Sequence, residues 1–258
     1  MWEGAWDVHW LGEVDSTNTY VLDRARQGAA AGLVAVADHQ TAGRGRLDRR
    51  WESPPGANLL ASILLRPACS GEDVHLGTGA VALAGADACG EVAGVEPTLK
   101  WPNDLLFEGA KLAGVLAEAE FRGPSLRALV VGIGINVAWP GPPEFHGTCL
   151  DDVRRSEQPV DRSNLLGHLL QALEPRCALL EDSAGRQVLV DEVRRRCGTL
   201  GQEVRVDLGG QVLTGRATSI DGSGRLVVET AGGAQAIGAG DVVHLRFDQD
   251  GESDEGLG

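Results

Sequence analysis

Apolar residues along the chain fall into short blocks, and changes in their period mark the elements. TYVLDRARQ (19–27) has helical spacing, follows the N-cap candidates Asp15-Ser16-Thr17-Asn18 and stops at Gly28, so it reads as a helix. LVAVAD (33–38) is a continuous apolar run, the mark of a buried strand. NLLASILLRP (58–67) is a second strand, ended by Pro67, and residues 73–92 form an alanine- and leucine-rich helix. Segments 104–107, 112–121 and 126–138 read as neighbouring strands of one sheet, and their short turns make them antiparallel. Asp161 caps a helix running to Leu180, and another helix covers 187–196.

After Gly198 the texture changes. EVRVDL, QVLTGRATSI, RLVVET, AQAIG and VVHLRF are short strands between glycine and aspartate turns, the pattern of a small β-barrel. The closing GESDEGLG is acidic and predicts disorder. The expected division is an α+β domain with a mixed or antiparallel sheet over 1–198, a β module over 199–247 and an acidic tail over 248–258.

One stretch, HQTAGRGRLDRRWESPPGA (39–57), has no apolar period and is too long for a turn, which in a compact domain points to function or disorder. Its core, GRGRLDRR, holds four arginines and two glycines in eight residues. Glycine lets backbone N–H groups approach an anion, and guanidinium binds phosphate or carboxylate in a planar fork. The stretch reads as a phosphate-cradling loop or as a solvated basic loop. Trp51 either anchors it or stacks on a ring.

Charge sharpens the picture. The net charge is −14, so nucleic acid is repelled by the chain as a whole. Of 23 basic residues only Lys100 and Lys111 are lysine. They flank KWPNDLLFEGAK, where Pro102 biases Trp101 towards extended backbone and Glu108-Gly109 signals a turn. A hairpin of that kind brings both ammonium heads to one face, where compact charges can stand between two anions; two incidental surface lysines are the plainer alternative. Asp104 is placed to face a metal, a ribose or a lysine. In VVGIGINV (130–137), Gly132 and Gly134 predict close approach by another backbone or a ligand, and Asn136 is a buried polar residue or a turn cap. Ser16, Thr17, Asn18 and Gln40 offer neutral donors and acceptors, with helix capping the simpler role for the first three. Five scattered cysteines with no CxxC pair suit neither zinc nor a disulfide framework. No apolar run is long enough for a membrane span and MWEGAWDVHW lacks signal-peptide character, so the cytoplasm is expected.

The order of these stretches resembles the biotin protein ligase family: DSTN, QTAGRGR followed by a tryptophan, KWPNDLL, KLAGVLAE and GIGINV, over about residues 15 to 140. The resemblance implies a class II synthetase-like catalytic domain and a C-terminal SH3-like domain. It implies an enzyme that activates biotin with ATP and Mg²⁺ to biotinyl-5′-AMP, then biotinylates a lysine of a biotin carboxyl carrier protein, that of acetyl-CoA carboxylase being the obvious acceptor. By position, Ser16, Thr17, Asn18, Gln40, Arg44, Gly45, Arg46 and Lys111 belong to biotin. Gly43, Arg46, Trp51, Lys100, Asn103, Asp104 and Asn136 belong to ATP or the adenylate, with Asp104 the metal candidate and Lys111 and Arg46 the catalytic pair. The glycine loop is expected to be mobile over 43–51 without ligand. Asp48 departs from the family's GRGRxGR pattern, which has glycine there. The 14 residues before DSTN are too few for a helix-turn-helix domain, so the monofunctional class is expected, as monomer or homodimer without DNA or membrane partners. A lipoate or octanoate transferase of the sister family and a non-catalytic biotin-binding protein are the competing readings.

Overall fold

The computed structural model describes residues 6–47, 49–123, 125–238, 240–247 and 253–255. Its first layer is a seven-stranded mixed sheet in the order β1-β2-β3-β7-β6-β5-β4. The strands are β1 (Asp7–Val14), β2 (Leu33–Gln40), β3 (Leu59–Leu65), β4 (Thr98–Lys100), β5 (Asp104–Phe107), β6 (Ala110–Arg122) and β7 (Ser125–Ile135). All seven residues of β3 are buried, because this strand lies mid-sheet and is covered on both faces. Strands β5 to β7 form the antiparallel run expected from their short turns, and β4 extends it.

Sequence periodicity misses two strands. β1 is one: polar residues interrupt it, and its Val8 and Trp10 stay exposed, so no buried run announces it. It pairs parallel to β2 at the sheet edge. β4 is the other, three residues long and paired to β5. Helix α1 (Thr17–Arg26) covers one face of the sheet, packing Val21 and Ala25 on side chains of β2, β3 and β7.

The opposite face is covered by α2 (Val74–Ala93), α4 (Arg162–Leu179) and α5 (Ser183–Arg196); a short α3 (Leu150–Val153) joins β7 to α4. α2 is apolar almost all round because it lies between the sheet and α4. Its glycines set the distance: a Cβ on Gly77 would stand 2.5 Å from Leu129 Cδ2, and one on Gly85 2.7 Å from Ile133 Cδ1. Asp161 Oδ1 accepts from Asn164 N at 2.7 Å and caps α4, as expected. α5 starts four residues before the expected 187, because Asp182 caps it by accepting from Gly185 N at 2.7 Å.

The second layer is an antiparallel sheet of β8 (Glu203–Asp207), β9 (Val212–Ile220), β10 (Leu226–Thr230), β11 (Gly233–Ile237), β12 (Asp241–Phe247) and β13 (Ser253–Glu255), ordered β11-β10-β9-β8-β12-β13. β13 is the described part of the acidic tail; the remainder lies outside the described residues. Trp101 joins the two layers. Its ring is buried in the core of the second sheet, its N–H donates to Thr199 Oγ1 and its Nε1 to Gly224 O, both at 3.0 Å. No described helix is long and apolar enough to cross a membrane.

All five cysteines are free thiols, with Cys69 half-buried and the rest buried. Burial pushes the Cys89 and Cys177 thiols up to about 12 and Cys149 up to about 11. Since the folded values lie above the ordinary 9.0, the stability these groups contribute is complete below pH 9 and declines from there towards pH 12. At pH 8 the native protein should therefore titrate no more than one thiol rapidly with a disulfide reagent, and all five only after unfolding; a second fast thiol would contradict the burial.

Candidate active site

One open cavity lies over β3, β6 and β7, bounded by the 44–52 loop, the β4–β5 hairpin and the 140–146 segment. Its floor consists of three glycines. Gly114 on β6 pairs directly with Gly134 on β7, and Gly132 lies two residues along. A Cβ on Gly134 would stand 2.4 Å from Trp51 Cε2 and one on Gly114 2.9 Å from Trp51 Cζ3. At Gly132 it would stand 2.2 Å from Asn18 Oδ1. The close approach expected from GIGINV thus comes from two side chains of the chain itself. Trp51 lies flat across the floor with Lys111 Nζ 5.7 Å from its ring centroid, and its buried Nε1 has no hydrogen-bond partner among the described residues.

The polar end is built by Ser16, Thr17, Asn18 and Gln40. Ser16 is the N-cap of α1 by position, yet its side chain makes no capping bond. Thr17 and Asn18 are buried and turn towards the sheet instead of capping the helix. Gln40 Oε1 accepts from Thr17 N at 2.8 Å and lies 3.0 Å from Thr17 Oγ1, which leaves its Nε2 facing Gly43. Ser62 Oγ lies 2.6 Å from Asn18 Oδ1, and Asn18 Nδ2 donates to Leu116 O and Glu118 Oε2 at 3.2 and 2.8 Å.

The charged end centres on Lys111. Its Nζ is 2.9 Å from Asp104 Oδ1, a buried oxygen that takes no hydrogen bond, so the two charges balance without hydrogen-bond geometry. The Lys111 backbone is clamped on both sides: its N–H donates to His146 O and its carbonyl accepts from Thr148 N, both at 2.9 Å. Asn136 braces the same place. Its Nδ2 donates to the carbonyls of Lys111, Pro140 and Thr148, and its Oδ1 accepts from Asn58 Nδ2 at 3.2 Å. Lys100 pairs in register with Asp104, so the hairpin does bring both lysines to one cavity.

The arginine loop folds on itself. Gly45 N donates to Arg49 O at 2.7 Å, Trp51 N to Gly43 O at 3.0 Å, and Leu47 adopts φ 54°. Arg44 forks onto Glu118 at 2.9 and 2.7 Å, and Arg46 Nη1 donates to Asn103 Oδ1 and Gly240 O at 3.2 Å each. Of the residues singled out in the sequence, Gly43 alone does not line the cavity; it holds the Trp51 backbone, and a Cβ there would stand 2.3 Å from Trp51 O. Asp48 lies outside the described residues. Sequence reasoning missed Ser62, Asn58, Glu118 and the 140–146 wall. Ser62, a lone hydroxyl inside LLASILL, carried a signal; the wall carried none.

The pattern of the Biotin/lipoate A/B protein ligase family matches residues 11–136, and that of the Biotin protein ligase C terminal domain matches 199–245. A biotin–acetyl-CoA-carboxylase ligase of Mycobacterium tuberculosis is 36% identical over 242 residues, 92% of this chain and 88% of that protein. The chain belongs to the biotin/lipoate ligase family. A second relative of the same name, from Paracoccus denitrificans, is 32% identical over 90% of this chain and 98% of its own length. The biotin protein ligase of Aquifex aeolicus, solved with biotin and ATP, superposes with a TM-score of 0.76 at 29% identity, covering 92% of this chain and 97% of that one.

Gly134→Ala is expected to lift Trp51 off the floor and to cost ~1–3 kcal/mol, as overpacking does. Urea denaturation and tryptophan emission, compared with Trp51→Phe, would measure both; an unchanged emission maximum would refute the contact.

Proposed function

We infer that this chain is a biotin protein ligase, which joins biotin to ATP as biotinyl-5′-AMP and then passes the biotinyl group to a lysine of a carrier protein. One observation carries the reading: a single cavity has a polar, hydrogen-bonding end at Ser16–Asn18 and Gln40 and a cationic end at Lys111, Lys100 and the arginine loop. A ureido ring has donors and an acceptor to offer the first, and a carboxylate has charge to offer the second. Lipoate or octanoate would leave the polar end facing hydrocarbon, which costs free energy for every polar group left unpaired.

In the first step a carboxylate oxygen of biotin attacks the α-phosphorus of ATP and pyrophosphate leaves. Both partners are anions, so the Lys111 ammonium, held by its clamped backbone, is placed to screen them and the developing charge. Arg46, braced on Asn103, brings a second cation from the loop. In the second step the carrier amine attacks the acyl carbon of the mixed anhydride, AMP leaves, and the amine loses a proton. Until then the loop and Trp51 keep water away. Gly45 and Arg44 border the polar end through the loop, and Gly43 sets its hinge. Asn136 serves from behind, as the strut of Lys111.

No group of three or more His, Cys, Asp or Glu among the described residues could hold a metal ion. A magnesium ion arriving on the nucleotide needs only one or two protein carboxylates, and Asp104, whose Oδ1 is paired with the Lys111 ammonium at 2.9 Å, is the carboxylate at hand. When bound, magnesium neutralises the phosphates. The acceptor is a carboxylase carrier domain, acetyl-CoA carboxylase first, and the free thiols suit the reducing cytoplasm.

ATP–pyrophosphate exchange with the purified protein is the direct test. Exchange is expected with biotin and not with lipoate or octanoate; exchange with lipoate alone would move the chain to the sister activity. Lys111→Arg should lower the exchange rate by at least about tenfold, because a broad fork cannot replace a compact ammonium between two anions. A fully active variant would remove Lys111 from this role.

A further inference from the structure

Glu118 closes the KLAGVLAE stretch, and no step of the reaction derived above uses it. Its side chain nevertheless joins the two halves of the site. On one side Oε2 accepts from Asn18 Nδ2 at 2.8 Å. On the other, Oε1 and Oε2 accept the two prongs of the Arg44 fork at 2.9 and 2.7 Å. Arg44 reaches back with its second prong to Thr19 Oγ1, at 3.3 Å. Asn18 belongs to the polar wall, Arg44 to the loop, and no other contact described here ties that wall to the loop with an ionic bond.

The tie also fixes orientation. Because Glu118 can only accept, it holds the Asn18 amide with Nδ2 towards β6, so Oδ1 must face Ser62. Asn18 Oδ1 can only accept in its turn, so the Ser62 proton points there, and the Thr17 hydroxyl must supply the proton of its 2.7 Å contact with Ser62 Oγ. Thr17 then meets Gln40. Gln40, Thr17, Ser62, Asn18, Glu118 and Arg44 thus form one connected run from the head of the cavity to the loop. An ionised, bidentate pair is the strongest link in such a run. Both members are partly exposed, so solvent and salt weaken it.

We propose that Glu118 is a positioning residue that couples filling of the polar end to closure of the arginine loop. A ligand that seats against Asn18 fixes the carboxylate, and the fixed carboxylate docks Arg44. Linkage makes the effect reciprocal: a docked Arg44 holds the wall, so the bound acid and its adenylate leave slowly. The proposal rests on the adenylate-forming reading, and its test is arranged so that the two can fail separately.

The experiment compares the unaltered protein with Glu118→Gln, Arg44→Met and the double variant. Gln keeps an acceptor for Asn18 but not the charge, and Arg44 sits at the surface, where its replacement leaves the core intact. Biotinyl-5′-AMP is formed in place from biotin and magnesium-ATP, and its release on dilution is timed. Each single variant should release it about tenfold faster or more, the loss expected of a charged hydrogen bond. The double should be no more than about twofold worse than the worse single, as for two residues acting through one contact. Labelling of lysines on a bystander protein should rise in parallel. Unchanged release from Glu118→Gln, or effects that multiply, would overturn the coupling. Hydrogen exchange of the unliganded proteins gives an arm independent of the chemistry: the Gly45 and Trp51 amides, bonded within the loop, should exchange faster in both single variants. Unchanged protection there would also overturn it. Absence of any adenylate from the unaltered protein would sink the functional reading, while the exchange arm would still decide the coupling.

Discussion

The constraint on which the site depends is the absence of three side chains. Strands β6 and β7 run side by side with Gly114 opposite Gly134 and Gly132 beyond. Without Cβ atoms there, an indole can lie flat on one part of the sheet and an asparagine amide can press on another. Everything else in the cavity is positioned against those two groups. Trp51 brings the loop down to the sheet, and Lys111 lies over its ring. Asn18 brings the start of α1 to the sheet, where capping gives way to the buried run through Ser62. Glycine elsewhere in a strand weakens it; here the lost packing is replaced by side chains from distant segments.

Charge is arranged locally in a molecule whose net charge is −14. An envelope of that sign repels anions, yet the cavity gathers cationic side chains. The arginines of the loop are therefore tied down: Arg44 to Glu118, Arg46 to Asn103 and to the carbonyl of Gly240. Lys111 is treated differently. Its charge is balanced by Asp104 without a hydrogen bond, while its backbone is clamped by the 146–148 segment and Asn136. A fixed position with a loosely engaged head fits the charge screening proposed for Lys111.

The two layers are not independent. Trp101 leaves the β4–β5 hairpin to complete the core of the second sheet, and Arg46 reaches across to Gly240. The KWPND stretch therefore serves the site through Lys100, Asn103 and Asp104 and the interlayer joint through Trp101. The C-terminal module supports the same hairpin and loop that bear the charged end.

The sequence by itself determined the α+β class, the order of most strands and helices, the change of texture at Gly198 and most of the polar and charged side chains that line the cavity. Those features are local: periodicity, caps, turns and unusual residue types act over a few positions, and a motif keeps its spacing in any fold. Tertiary structure alone decided the parallel pairing of β1, whose polar interruptions hide it, and the seat of Trp101 in a core about 100 residues away in sequence. It alone put Trp51 on Gly134 and Asn18 on Gly132, and it alone brought Ser62 and Glu118 between Thr17, Asn18 and Arg44. A serine in an apolar strand and a glutamate in another have no local reason to be linked. Their partners are fixed by which strands are neighbours, and that is set by how the whole chain buries its apolar surface, a property no short window of sequence contains.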